Sequence, residues 1–220
     1  MAARLYSTNG RGLSEVVRIA LGAAEIPFEE SFIETKDDLA KLRAEGKELS
    51  GQNPLLEIDG LKLVESMDIL RHICNKQGWL GTNPEEKAKI EKLSDEAHDM
   101  YTTILYAYLD KVSKNKDKEW EAVVQKVKDR FLPVFEKELE SNGSGYLVGG
   151  SLSMCDIVFL DSITWLAENA MEVLVEYPNT LNFLMTMSSH PAIQKYLDGP
   201  QRKPLPDVDY IKTVNAIYSL

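Results

Sequence analysis

Residues 53–70 read NPLLEIDGLKLVESMDIL. Two short apolar runs flank Asp59-Gly60, the dipeptide that accepts the positive φ angles of a tight two-residue hairpin. The spacing predicts two antiparallel strands, followed by a helix that Ser66 opens and Gly78 closes. Upstream, ARLYS (residues 3–7) is strand-like, and residues 13–24 keep Val16, Val17, Ala20 and Leu21 at helical spacing. PFEESFI (27–33) reads as a second strand, with Phe28 and Phe32 on different beats from the acids. DDLAKLRAEG (37–46) reads as a short polar helix ended by Gly46. The order strand, helix, strand, helix, hairpin, helix predicts a small mixed sheet covered by helices, an α+β domain over residues 1–78.

Downstream, GWLGTNPEE marks a linker at 79–84, and residues 85–220 read as an all-α domain. Its expected helices cover 85–109, 116–140, 153–170, about 180–187, and a terminal one from about 207, with no internal repeat.

Of the 220 residues, 44% are hydrophobic and 27% charged, ordinary for a well-packed soluble protein. No apolar run approaches a membrane span and no basic-then-apolar leader opens the chain, so a cytoplasmic protein is expected. The formal charge of −10, without a basic patch interleaved with aromatics, argues against nucleic acid. Such a body also repels anions, so an anionic ligand must meet local cations or helix N-termini. Cys74 and Cys155 form no CxxC, and His72, His98 and His190 are scattered, so neither a disulfide framework nor a metal site is expected. Ser153 and Asp156 have capping-box spacing, a stability feature in which Cys155 is expected to be packing.

The stretch 53–70 resembles the N-terminal, thioredoxin-like domain of the glutathione transferases. DLAKLRAEG (38–46), VKDRFLPVFEKEL (127–139), YLVGGSLSMCDI (146–157) and RKP (202–204) resemble the alpha class of that family, and the likeness runs end to end. It implies a thioredoxin-like α+β domain with a mixed four-stranded sheet, an all-α second domain, a homodimer, glutathione as co-substrate and no metal. It also implies a cis Asn53-Pro54 bond, with the Asn53 backbone pairing with the cysteinyl part of glutathione. Glu65-Ser66 would hold the γ-glutamyl end: a carboxylate for the ammonium, a hydroxyl and helix N-terminal amides for the carboxylate. Arg43 matches the base for the glycyl carboxylate and Gln52 a further ligand, while Asp99 and Arg130 match the pair that reaches the neighbouring subunit's glutathione.

The opening stretch LYSTNGRGLSE (5–15) departs from the class. Aligned without a gap, Ser7 stands where a tyrosine hydroxyl donates to the glutathione sulfur, and Leu13 where an arginine flanks it. Strand side chains alternate, so Leu5 and Ser7 look one way, Tyr6 and Thr8 the other. Tyr6 reaches the sulfur only through a one-residue slip or bulge. A thiol of pKa about 8.5 is about 3% ionised at pH 7, and lowering it by about two units, worth roughly 2.7 kcal/mol, makes it mostly thiolate. One hydrogen bond to a charged group contributes roughly 1.5–3 kcal/mol, so a Ser7 hydroxyl has the capacity. The expected activity is attack of the thiolate on an apolar electrophile, with isomerase or peroxidase chemistry as side activities. The competing expectation is a ligandin-like glutathione-binding dimer with little catalysis. The apolar site is expected among Thr8 and Gly10, then Leu105, Tyr106 and Leu109, and a terminal helix carrying Ile211, Val214, Tyr218 and Leu220 at helical spacing.

Overall fold

The computed structural model describes residues 3–47 and 54–218. β1 (Ala3–Ser7) lies parallel to β2 (Phe28–Phe32), with Ala3 beside Phe28 and Ser7 beside Phe32, and antiparallel to β3 (Leu55–Ile58). β4 (Leu61–Val64) completes a mixed sheet of order β2-β1-β3-β4, the four strands expected. Asp59 and Gly60 take φ of 53° and 80°, as the hairpin dipeptide requires. Two parallel strands need a crossover, supplied by α1 (Glu15–Ala23). In α2 (Lys36–Ala44), Thr35 and Asp38 form a capping box, and α3 (Ser66–Gln77) follows the hairpin.

The chain divides into two compact units: the residues up to Ile73 with those from Lys195 on, and Cys74–Gln194. The sequence reading assigned 85–220 to a single helical domain. The returning segment instead joins the first unit through bonds that no local pattern encodes. Tyr196 Oη donates to Glu15 Oε1 at 2.8 Å, Arg202 Nη1 reaches the same oxygen at 2.6 Å, and Lys203 Nζ lies 3.2 Å from Glu30 Oε2. The last helix of this unit is named below after the second unit's helices.

In the second unit, α4 (Pro84–Lys114) is capped by Asn83, whose side chain accepts from Glu86 N, and ends at Asn115 with φ 53°. The expected helix over 116–140 is α5 (Asp117–Lys126) and α6 (Leu132–Asn142), joined by a π-helical turn, Val127–Phe131. Pro133 has no N–H for the ladder, and just before it Leu132 N reaches back five residues to Val127 O. α7 (Met154–Asn169) is buried along its length to Leu166 and bonds to α4 through Ser162 Oγ and Ala97 O at 3.0 Å. Phe135 and Phe159 stack with ring centroids 4.0 Å apart. At its start the expected capping box is present, and Asp156 Oδ1 also accepts from Leu147 N at 2.8 Å. Burial pushes the Asp156 carboxyl up to about 6, against the hydrogen bonds from Leu147 and Ser153. α8 (Met171–Val175), α9 (Pro178–Ser188) and α10 (Pro191–Leu197) follow, and α11 (Val208–Tyr218) belongs to the first unit. Among the described residues no helix is long and apolar enough to cross a membrane.

Candidate functional site

The turn between β1 and α1 is built around one buried cation. Arg18 is fully buried, and all three of its guanidinium nitrogens are bonded. Nη2 donates to Ser7 Oγ at 2.8 Å and Thr8 O at 3.3 Å; Nη1 donates to Gly10 O and Glu15 Oε2, both at 3.1 Å; Nε donates to Glu30 Oε1 at 2.7 Å. Burial alone would lower the Arg18 pKa, but the Glu15 and Glu30 carboxylates outweigh it and raise it. Arg202 and Lys203 add two further cations at the same two glutamates, and Arg11 Nε donates to Lys203 O at 2.6 Å. The interior of the turn is therefore cationic, while Glu34, Asp207 and Asp209 stand at the rim of its cleft, in water that screens them.

Four hydroxyls compete for this turn, and the structure separates them. Ser7 is wholly buried beneath it, accepting from Arg18 and donating to Thr8 O at 3.2 Å. Tyr6 lies on the opposite face of β1, in a core with Ile33, Leu39, Leu42, Leu55 and Ile217. Its hydroxyl donates to Glu57 Oε2 at 2.9 Å and accepts from Lys47 Nζ at 2.7 Å, and that ammonium also sits 4.3 Å from the ring centroid. Thr8 Oγ1 lies 2.9 Å from Tyr210 Oη, and these two face a cleft of about 420 Å³ with Gly10, Ile33, Leu205 and Thr213 also in its wall. The Tyr210 ring rests directly on Gly10: a Cβ there would overlap it, and one on Gly12 would stand 3.3 Å from the phenol oxygen.

Tyr210 is the residue that sequence reasoning missed, because helical spacing drew attention to Ile211, Val214 and Tyr218. In α11, Ile211 and Ile217 are buried, Val214 is half-buried, and Tyr218 packs against the core beside Tyr6. The signal available was the pair Gly10 and Gly12, which mark a close approach without naming what approaches.

At the same end of the sheet as Ser7, two strands over after β4, Glu65 adopts φ 66°, a left-handed conformation that costs a non-glycine residue on the order of 1–3 kcal/mol. Its carbonyl accepts from Ile69 N at 3.0 Å, so it caps α3, and Ser66 beside it is buried in the first turn. Arg43 is exposed in the last turn of α2. Gln52, Asn53, the Asn53-Pro54 bond and Leu220 lie outside the described residues. In the second unit, Asp99 is exposed on α4 and Arg130 is exposed in the π turn, its guanidinium carbon 4.5 Å from the Phe131 ring centroid. Leu105 is buried, Leu109 half-buried, and Tyr106 is 54% exposed. Burial raises the pKa of both Cys74 and Cys155, leaving them as thiols, and among the described residues no three His, Cys, Asp or Glu side chains gather as a metal site.

A family model described as the N-terminal domain of glutathione S-transferase matches residues 1–75, and one described as its C-terminal domain matches residues 98–199. Glutathione S-transferase A4 of Mus musculus is 37% identical over 215 residues, covering 97% of this chain and 96% of that protein. Glutathione S-transferase A4 of Homo sapiens is 38% identical over 224 residues, covering 99% of each. The crystal structure of the glutathione S-transferase from Ascaris lumbricoides superposes with a TM-score of 0.76 at 26% identity, over 90% of this chain and 97% of that one.

Proposed function

Because this chain belongs to the glutathione S-transferase family, and so is a transferase that uses glutathione, we propose that it seats the glutathione sulfur on the turn between β1 and α1 and holds it there as thiolate. The observation that carries this reading is the buried guanidinium of Arg18 2.8 Å from Ser7 Oγ. A hydroxyl that accepts from a cation is a stronger donor through its own proton, because successive hydrogen bonds polarise one another. Ser7 now spends that proton on Thr8 O at the long distance of 3.2 Å, and a thiolate is the better acceptor. The thiol proton leaves to solvent, Ser7 keeps its own, and the thiolate forms the S–C bond with an apolar electrophile while the carbon's leaving group, or the π bond of an activated alkene, takes the displaced electron pair.

The tripeptide is held, in this proposal, by Arg43 at the glycyl carboxylate, by Gln52, Asn53 and Pro54 along its middle, and by Glu65 and Ser66 at the γ-glutamyl end. The strained φ of Glu65 supports the last assignment, since it turns the chain so that the first amides of α3 follow directly after a carboxylate. A cytoplasmic homodimer in which Asp99 and Arg130 complete the partner's glutathione site, acting in detoxification, belongs to the same reading. Tyr6 is disfavoured as the sulfur's donor, because it would have to leave both Glu57 and Lys47.

The test is steady-state conjugation of glutathione to a panel of electrophiles. Ser66→Ala is expected to raise the KM for glutathione about tenfold with kcat nearly kept, as loss of one hydrogen bond to a charged group implies. Wild-type rates equal to the solution reaction would overturn the proposal and favour a binding protein.

A further inference from the structure

We infer that Tyr210, reaching back from α11, donates a hydrogen bond to the glutathione sulfur from the cleft side, a second donor beside Ser7, and replaces the phenol that β1 lacks. The inference rests on the glutathione reading above and deepens it. The argument is one of access and proton count. Ser7 lies under the turn with no exposed surface, whereas Thr8 and Tyr210 both line the cleft, so a sulfur arriving from solvent meets their hydroxyls first.

Those two oxygens are 2.9 Å apart and carry two protons, but the bond between them uses only one. The other is free for a ligand. A phenol is a far stronger acid than an aliphatic alcohol, so the favoured order is Thr8 Oγ1–H donating to Tyr210 Oη, whose proton points outward to the thiolate. Burial keeps the phenol protonated, its pKa raised despite the Thr8 bond that lowers it, so the donor persists at neutral pH. The placement is a built one. Gly10 and Gly12 leave no Cβ where the ring and its oxygen lie, and α11 is bonded into its own start through Asp207 Oδ1, which accepts from Tyr210 N at 2.8 Å. Tyr210 keeps its proton throughout; the thiol proton goes to solvent and the sulfur lone pair to the electrophile.

The decisive experiment is a pH titration of the ultraviolet thiolate absorbance of bound glutathione, on wild type, Tyr210→Phe, Thr8→Val and Ser7→Ala. Tyr210→Phe keeps the ring and is expected to raise the bound thiol's pKa by about one to two units, with glutathione affinity unchanged within about twofold. The acid limb of its kcat/KM profile moves up by the same amount. Thr8→Val, which removes the polarising partner and leaves the phenol, gives a smaller rise in the same direction and serves should Tyr210→Phe fold poorly. A thiol pKa unchanged in both variants overturns the inference while leaving the glutathione reading intact. Bound glutathione with an unshifted thiol in the wild type overturns thiolate stabilisation itself, and the inference with it. A rise confined to Ser7→Ala assigns the donor to Ser7 alone.

Discussion

Replacing Arg18 with Met removes the centre of the turn while keeping most of its volume. The two glutamates are not orphaned: Glu15 keeps Tyr196 and Arg202, and Glu30 keeps Lys203. What loses its Arg18 donor is Ser7 Oγ and the carbonyl of Gly10, whereas Thr8 O keeps Gly10 N and Ser7 Oγ. Breaking a buried ionic cluster at one partner costs about 3–5 kcal/mol, and the surviving partners of the glutamates place this case near the lower figure. Set against a total of about 5–15 kcal/mol, that is a large share. For a chain of this length it corresponds to a fall in Tm of about 6–20 °C. Arg18→Lys keeps the charge but not the fork, and should lose about half as much. The assay is urea unfolding by far-UV circular dichroism, with tryptophan fluorescence alongside. Trp79, Trp120 and Trp165 all lie within Cys74–Gln194, so fluorescence follows the second unit and should move less than the overall signal. A loss below about 1 kcal/mol for Arg18→Met would refute the view that this cation organises the turn.

Two further outcomes follow from the same geometry. Tyr6→Phe deletes the bonds to Glu57 and Lys47 and should cost about 1–3 kcal/mol in denaturant melts while leaving the bound thiol's pKa untouched; a raised thiol pKa would return Tyr6 to the catalytic turn. The Asp156 carboxyl, raised in the folded chain to about 6, binds its proton more tightly folded than unfolded. Its contribution is therefore fully present below the unfolded pKa near 4 and is lost as pH rises through about 6, a change of on the order of 3 kcal/mol. Measured between pH 4 and 7, wild-type stability should fall relative to Asp156→Asn over that window, and parallel curves would contradict the assignment.

Local chemistry made much of the first unit legible. Asp59-Gly60, the Gly46 end of α2, the capping box of α7 and the helical spacing of α1 each act within a few residues, and each formed as the sequence implies. The face of β1 was legible too, since alternation alone separates Tyr6 from Ser7. Hidden was everything that depends on distant partners. Nothing near Glu15 announces that Arg202 and Tyr196 will find it, because ion pairs carry no periodicity. The same blindness hid Tyr210. Helical spacing ranks α11 by its apolar stripe, whereas the phenol that meets Thr8 sits beside that stripe and is recognised only once residues 202 positions apart are brought together. The widened turn at Val127–Phe131 was likewise submerged in a continuous helical pattern, and Pro133 was its only trace.

The route of the chain has a bearing on how it is made. A ribosome releases Glu15, Arg18 and Glu30 early, yet Tyr196, Arg202 and Lys203 emerge only after the whole of Cys74–Gln194 has been translated. The helical middle can complete its core while synthesis continues, but in the opening unit Glu15 and Glu30 wait for Tyr196, Arg202 and Lys203 until the final stretch arrives. Vectorial folding from the first residue onward is thus reversed here, and nascent chains stalled before Tyr196 should show protease-sensitive β1 and α1 beside a protected middle.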